Sequence, residues 1–387
     1  GVLRNQILYD AMAQNCSTRA LVDVEPEVVD ILRLGIHQIY AMRVPDHAAV
    51  DTCGSLARVT SRGKDASHVK ARVGFVNAVL RCITRTEFDL DTLSLGNRYS
   101  HQDWIVSAFE EALERNGLAS SDLERLLIAN NMAVDPVIAV REGEKDIPGT
   151  MPGRWSEQAR ILCDVIPLDV EQVRDGSAIV QDEGSQLVAQ AFLLAQPTGA
   201  ESAWLDMCAG PGGKAALISD SVPAGVEFIA VELHQHRVDL MSKIVGPAAS
   251  LITGDARERP WGNRFFDRVL LDAPCSGLGA LRRRPEARWR KTKRETLALS
   301  DLQEDLLLSA IDSTRIGGVI AYVTCSPYVQ ETWAVVESVL EARSNVQLED
   351  ARGLFPGVSD LGEGPNVQLW PHIHGTDAMF FALLRRV

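Results

Sequence analysis

The chain has 387 residues, of which 46% are hydrophobic and 24% charged, and a net charge of -13. These proportions exclude collagen-like, low-complexity and wholly disordered chains, and no apolar run approaches the ~18 residues of a membrane span. At roughly 100–200 residues per domain, the length predicts two or three domains. The chain opens on Gly1 without a signal-peptide pattern, and we expect the original N-terminus to lie upstream. Its seven cysteines are odd in number, scattered, and never spaced as CxxC. That predicts neither a disulfide framework nor a zinc site, and a reducing cytoplasm as the compartment.

Residues 1–95 read as helical. Val28, Leu32, Ile36 and Tyr40 place one apolar stripe on a helix that Pro45 stops. Further helices are predicted over 48–59 and 73–83. Helices at 104–113 and 123–129 and a strand at 134–140 come next, and 148–153 reads as a loop with Pro148, Gly149 and Gly153. After about 178, short apolar runs at 203–205, 227–231, 251–252, 269–271 and 319–323 alternate with predicted helices at 213–221, 235–244, 299–315 and 328–342. This texture predicts a doubly wound α/β domain on a parallel sheet.

The residues just past each strand carry the functional signal. The first strand leads into Asp206-Met-Cys208-Ala209-Gly210-Pro211-Gly212-Gly213-Lys214, the second ends in Glu232, and the third in Gly254-Asp255. The fourth ends in Asp272-Ala-Pro-Cys275, and the fifth in Thr324-Cys325-Ser-Pro. The carboxyl ends of parallel strands share one rim, so four carboxylates, a glycine turn and two thiols converge on one crevice. The turn is not a P-loop, because Lys214 is followed by Ala215 and no glycine stands at 208. It matches only half of a dinucleotide fingerprint. A nucleoside ligand without a pyrophosphate, such as S-adenosylmethionine, suits the turn, with Glu232 at the spacing of a ribose-binding acid.

Cys16, Cys53, Cys82 and Cys163 are expected to pack as small apolar residues, and Cys208 to line the glycine loop. Cys275 and Cys325 stand apart, in turns beside Asp272. The two HxH pairs, His234/His236 and His372/His374, are expected on the surface rather than on a metal. From 282 to 294 eight of thirteen residues are basic. Because Trp289 offers a stacking face among them, Arg282, Arg283, Arg284, Arg288, Trp289, Arg290 and Lys291 are predicted to hold nucleic acid. A weaker basic set comprises Arg58, Arg62, Lys64, Lys70 and Arg72.

Three motifs in order, DMCAGPGGK (206–214), LLDAPCSG (270–277) and YVTCSP (322–327), resemble those of the Sun/Fmu family of RNA cytosine-C5 methyltransferases. The resemblance spans the chain. GFVNAVLR (74–81) is similar to the NusB-like helical domain of the family's ribosomal members, and VQDEGSQL (180–187) to their entry into the catalytic domain. It implies an all-α NusB-like RNA-binding domain over 1–97, N-terminally incomplete, and a small α/β domain over 98–177. A Rossmann-like class I methyltransferase domain would occupy 178–387. It further implies that residues 208–214, Glu232, Asp255 and Asp272 bind S-adenosylmethionine, that Cys325 is the nucleophile, and that Cys275 serves product release. Asp272 would also hydrogen-bond the base near N3.

The implied partner is 16S ribosomal RNA, free or in an assembling small subunit, met by a monomer without membrane contact. Ending at Val387 after MFFALL, the chain is expected to lack a C-terminal RNA-binding module. A DNA-type enzyme would use Cys275 as nucleophile, and Cys325 and the helical N-terminal part argue against it. A non-catalytic RNA-binding or assembly factor would leave both thiols unexplained, and a small-molecule methyltransferase would leave residues 1–175 and the basic stretch so.

Overall fold

A computed structural model describes the chain except for residues 62, 142, 144 and 145; Arg62 of the weaker basic set therefore lies outside the described residues. The chain divides into two compact units, Gly1–Ser107 and Ala108–Val387, with the division inside the helix Asp103–Arg115.

In the first unit, helices Gln6–Asn15, Pro26–Tyr40, Asp46–Val59 and Ala66–Ile83 enclose a core that includes Leu32, Ile36, Val76 and Leu80. The expected stripe is buried at Val28, Leu32 and Ile36, but Tyr40 is 45% exposed because the helix outruns the core by its last turn. The fourth helix starts seven residues earlier than periodicity predicted, since Asp65 caps it by accepting from the His68 amide at 2.9 Å. Arg72 is not a surface cation: it is buried and ion-paired to Glu25 at 3.0 Å. A second correction concerns the cysteines. Cys16, capping the first helix, and Cys82, on the last turn of the fourth, are joined as a disulfide with their Cα atoms 5.7 Å apart.

The second unit opens with helices and a small antiparallel sheet, ordered β2-β3-β1-β4, of β1 (Val137–Val140), β2 (Thr150–Pro152), β3 (Ala159–Leu162) and β4 (Ala178–Val180). Strand β2 falls where glycine and proline predicted only a loop. The large sheet contains β5 (Ala203–Asp206), β6 (Glu227–Glu232), β7 (Ala249–Thr253), β8 (Phe266–Asp272) and β9 (Thr314–Thr324). These five are parallel neighbours in the order β7-β6-β5-β8-β9. The sheet is not parallel throughout. β12 (Phe380–Arg386) pairs antiparallel with β9, and β10 (Val346–Glu349) and β11 (Val367–Gln368) pair with β12.

Side chains alternate across this sheet. Trp204, Phe228, Leu270, Ala321 and Phe381 enter one core, while Leu205, Ile229, Leu271, Tyr322 and Phe380 enter the other. Both faces are covered, which is why the strands read as continuous apolar runs. The chain turns from β5 outward through β6 and β7, then crosses back to β8. That reversal places a crevice at the carboxyl ends of β5 and β8.

Candidate active site at the strand rim

Asp206 closes β5 and Asp272 closes β8, one on either side of the crevice. Asp206 is fully buried, and among the described residues no side chain bonds to either carboxylate oxygen. Burial, with Asp272 adding repulsion, pushes its carboxyl up to about 8. Lys214, in the first turn of the helix after the glycine loop, donates to Asp272 Oδ2 at 2.7 Å. Burial would lower the Lys214 ammonium, but the charge and hydrogen bond of Asp272, with the fields of Cys325 and Asp206, together outweigh it and push the group up.

The loop 208–212 lies over the end of β6. A side chain on Gly210 would overlap the Glu232 carboxylate, and Gly212 adopts φ +107, a left-handed conformation that side chains resist. Glu232 is 4% exposed, accepts from the His234 amide at 2.9 Å, and pairs with Arg237 Nη1 at 3.0 Å. Arg237 Nη2 donates to Gly210 O at 2.6 Å, so it ties the loop to the acid. Asp255, after β7, is held below the usual carboxylate range by Arg257, which bonds it at 2.6 Å. Cys208 packs against one of the sheet cores; burial, with Asp206 and its neighbours, pushes its thiol well up.

On the other side of the crevice, Cys275 Sγ and Cys325 Sγ are 3.3 Å apart. Gly279 makes this approach possible. Its amide donates to Cys325 O at 2.9 Å, and any side chain there would overlap the carbonyls of Cys325 and Ala378. The hydrogen bond to Cys325, followed by burial, pushes the Cys275 thiol well above its ordinary value.

The basic stretch is only partly a surface. Arg282 is 6% exposed and bonded to Asp182 at 2.5 Å and Asp377 at 3.2 Å, while Arg283 pairs with Asp377. Arg288 is fully buried and donates to Asn131 Oδ1 at 2.8 Å. Arg282 and Arg288 therefore cannot hold phosphates as expected, because their guanidinium groups satisfy internal acceptors. Arg284 and Arg290 are exposed, and Trp289 and Lys291 half-buried.

The histidine expectation divides as well. His234 and His236 are exposed with stacked rings. The His372 and His374 side chains are instead buried, and burial lowers both, His372 to about 4. Among the described residues no group of three or more His, Cys, Asp or Glu is placed to hold a metal ion.

Glu331 escaped the sequence reading. It is fully buried and reaches the residues next to both Cys275 and Cys325. Six residues past Cys325, in a polar stretch, nothing in the sequence linked it to Ser276, 55 residues away.

A central parallel sheet with an antiparallel strand, β12, between β9 and β10, a glycine loop after β5 and acids at successive strand ends define a class I, S-adenosylmethionine-dependent methyltransferase. Residues 192–385 match the family model described as 16S rRNA methyltransferase RsmB/F, and residues 1–85 match the NusB family. The protein named "Putative methyltransferase Rv1407" from Mycobacterium tuberculosis is 42% identical, over all of this chain and 87% of that protein. "Ribosomal RNA small subunit methyltransferase B" of Vibrio cholerae is 28% identical, over all of this chain and 87% of its own length. Among solved structures, NSun6 from Pyrococcus horikoshii with SFG shares the fold, at a TM-score of 0.62 and 17% identity over 74% of this chain and 98% of that one. The chain belongs to the RsmB/F family of 16S rRNA methyltransferases, with a NusB domain at its N-terminal end.

Proposed function

We propose that the protein methylates C5 of a cytosine in 16S ribosomal RNA through a covalent bond between Cys325 and C6 of the base. The observation that carries this reading is the pair of thiols 3.3 Å apart on the strand ends that also bear Asp272. A methyltransferase acting on oxygen or nitrogen has no use for such a pair. A carbon as unreactive as cytosine C5 needs a nucleophile to activate it.

The residues present fit S-adenosylmethionine. The cradle at Gly210 and Gly212 excludes side chains, and Asp206 offers buried carboxylate oxygens to which no side chain bonds among the described residues. Residues 208–214, Glu232, Asp255 and Asp272 would hold the cofactor, with Glu232 on the ribose hydroxyls. When bound, S-adenosylmethionine supplies an electrophilic methyl on a sulfonium.

The protein's own groups do the rest. The Cys325 thiolate forms a bond to C6, and the displaced C5–C6 electron pair makes C5 nucleophilic. Asp272, fixed by Lys214 through Oδ2, leaves Oδ1 to face N3 of the base, where a proton taken from water and shared between the two neutralises the negative charge that develops and returns to water on release. While Cys325 is a thiolate, its charge keeps the proton on Cys275. Once that sulfur is bonded to C6 the charge is gone, and Cys275 can release its proton to water and take the one on C5. The C5–H electrons then restore the C5–C6 double bond and expel Cys325. The base must leave its stack to reach the crevice, and Arg284, Trp289, Arg290 and Lys291 are the members of the basic stretch available to hold the strand.

In this reading residues 1–97 form the RNA-binding NusB-like domain, 98–177 a small linking domain, and 178–387 the catalytic domain of a cytoplasmic monomer. The test is nucleoside analysis after incubation with labelled S-adenosylmethionine and unmodified 16S rRNA. The reading predicts label in 5-methylcytidine; label in any other nucleoside overturns it.

A further inference from the structure

Next to the two thiols lies a buried polar cluster. Glu331 is at its centre. Its Oε1 accepts from the Ser276 amide at 2.6 Å, and its Oε2 accepts from Ser276 Oγ at 2.5 Å and Ser326 Oγ at 2.7 Å. The two hydroxyl oxygens are 3.2 Å apart. Ser276 comes directly after Cys275, and Ser326 directly after Cys325.

The surroundings reinforce the same two loops. Gln303 Nε2 donates to Pro274 O at 2.8 Å, which fixes the residue before Cys275. Tyr322, on β9, donates from its hydroxyl to Glu331 O at 2.7 Å, which ties the acid to the strand that carries Cys325. Ser276, Gln303, Tyr322, Ser326 and Glu331 are each at most 4% exposed. Among the described residues no Lys, Arg or His pairs with Glu331. A buried acid without a cation is costly to keep, so a purely structural role is poorly served by it; an apolar residue would fill the space at less cost.

We propose that Glu331 is a positioning residue: by clamping the residue after each cysteine, one carboxylate sets the separation and aim of Cys275 and Cys325. The proposal rests on the two-thiol mechanism for its catalytic consequence, but the clamp itself is a statement about geometry. The backbone hydrogen bonds between β8 and β9 run to Ala273 N, which donates to Val323 O at 2.8 Å, and stop short of both cysteines, so the sheet alone does not fix the two turns. Misplacement of reacting groups by about 1 Å can cost on the order of 100-fold in rate. The clamp is therefore expected to act on kcat rather than on the binding of either substrate.

The test reads the thiol geometry directly. Diamide joins two neighbouring thiols by taking one hydrogen from each onto its own nitrogens, leaving a disulfide. The rate of Cys275–Cys325 closure is followed by mass spectrometry in the full chain, for wild type, Glu331→Gln, Glu331→Ala and Ser326→Ala. The proposal predicts closure slowed by about 10-fold or more in Glu331→Ala, with Ser326→Ala and Glu331→Gln intermediate. It also predicts that kcat on 16S rRNA falls in the same order while KM for RNA and for S-adenosylmethionine holds. Ser326→Ala removes a single hydroxyl and keeps the proposal testable should Glu331→Ala fail to fold.

Closure at the wild-type rate in every folded variant would overturn the proposal, even if melting temperatures drop, because that pattern marks a structural role alone. If closure responds to Glu331 but the wild type makes no 5-methylcytidine, the clamp stands and the cytosine reading falls.

Discussion

Cys275 and Cys325 hold their sulfurs 3.3 Å apart at the ends of the adjacent strands β8 and β9, although 50 residues of chain separate them. Two further contacts maintain that approach, the Gly279 amide on Cys325 O and the Glu331 carboxylate on both adjoining serines. The hydrogen bond to Cys325, followed by burial, pushes the Cys275 thiol above its ordinary value.

The proposed cofactor site places Glu232 on the ribose hydroxyls. On that proposal, replacing it with alanine removes a buried carboxylate acceptor, a loss of about 1.5–3 kcal/mol for a charged acceptor. S-adenosylmethionine affinity by calorimetry is expected to fall by roughly 10- to 150-fold. Unchanged affinity would remove Glu232 from the site.

Asp206 predicts a pH signature in the unliganded protein. Its folded pKa of about 8 lies above the ordinary carboxyl value near 3.9 that it takes when unfolded. The folded state thus keeps a proton that the unfolded chain gives up. This contribution is fully present below pH ~4 and is lost as pH rises through about 8, on the order of 1 kcal/mol per pH unit. Asp206→Asn keeps the hydrogen-bonding shape without that loss. Its melting temperature, relative to wild type, should climb between pH 5 and 8 and level off above; a difference independent of pH would contradict the assignment.

The arginines of the basic stretch should separate into two classes. Arg282→Ala strips the nearest cation from Asp182 and one of two from Asp377, both buried, and is expected to cost about 3–5 kcal/mol in denaturant unfolding. Arg284→Ala and Arg290→Ala should leave stability within about 0.5 kcal/mol of wild type. Each should weaken RNA binding and reduce the slope of log K against log salt by about one. Equal effects of all three on stability would refute the division.

The contrast shows what the sequence made legible. Strands β5, β6, β8 and β9 carry apolar runs covered on both faces, and the chemistry sits directly at their ends, so one-dimensional reading found both. β12 was passed over because MFFALL carries no turn or acid that marks it as a strand, and its antiparallel direction depends on where β10 leaves it. Arg282 read as a surface cation because its acceptors, Asp182 and Asp377, lie about a hundred residues away on either side. The Cys16–Cys82 pair and the Glu331 clamp were hidden for the same reason: each depends on a partner brought close only by the fold.

The central claim is that Cys325 is the nucleophile and Cys275 the releasing thiol. The most direct measurement incubates wild type, Cys325→Ala and Cys275→Ala with unmodified 16S rRNA and labelled S-adenosylmethionine, then separates protein-bound from free RNA on a denaturing gel. The account predicts a stable protein–RNA adduct for Cys275→Ala, neither adduct nor methylated product for Cys325→Ala, and free methylated RNA for wild type. An adduct that persists in Cys325→Ala and disappears in Cys275→Ala would contradict it and make Cys275 the nucleophile.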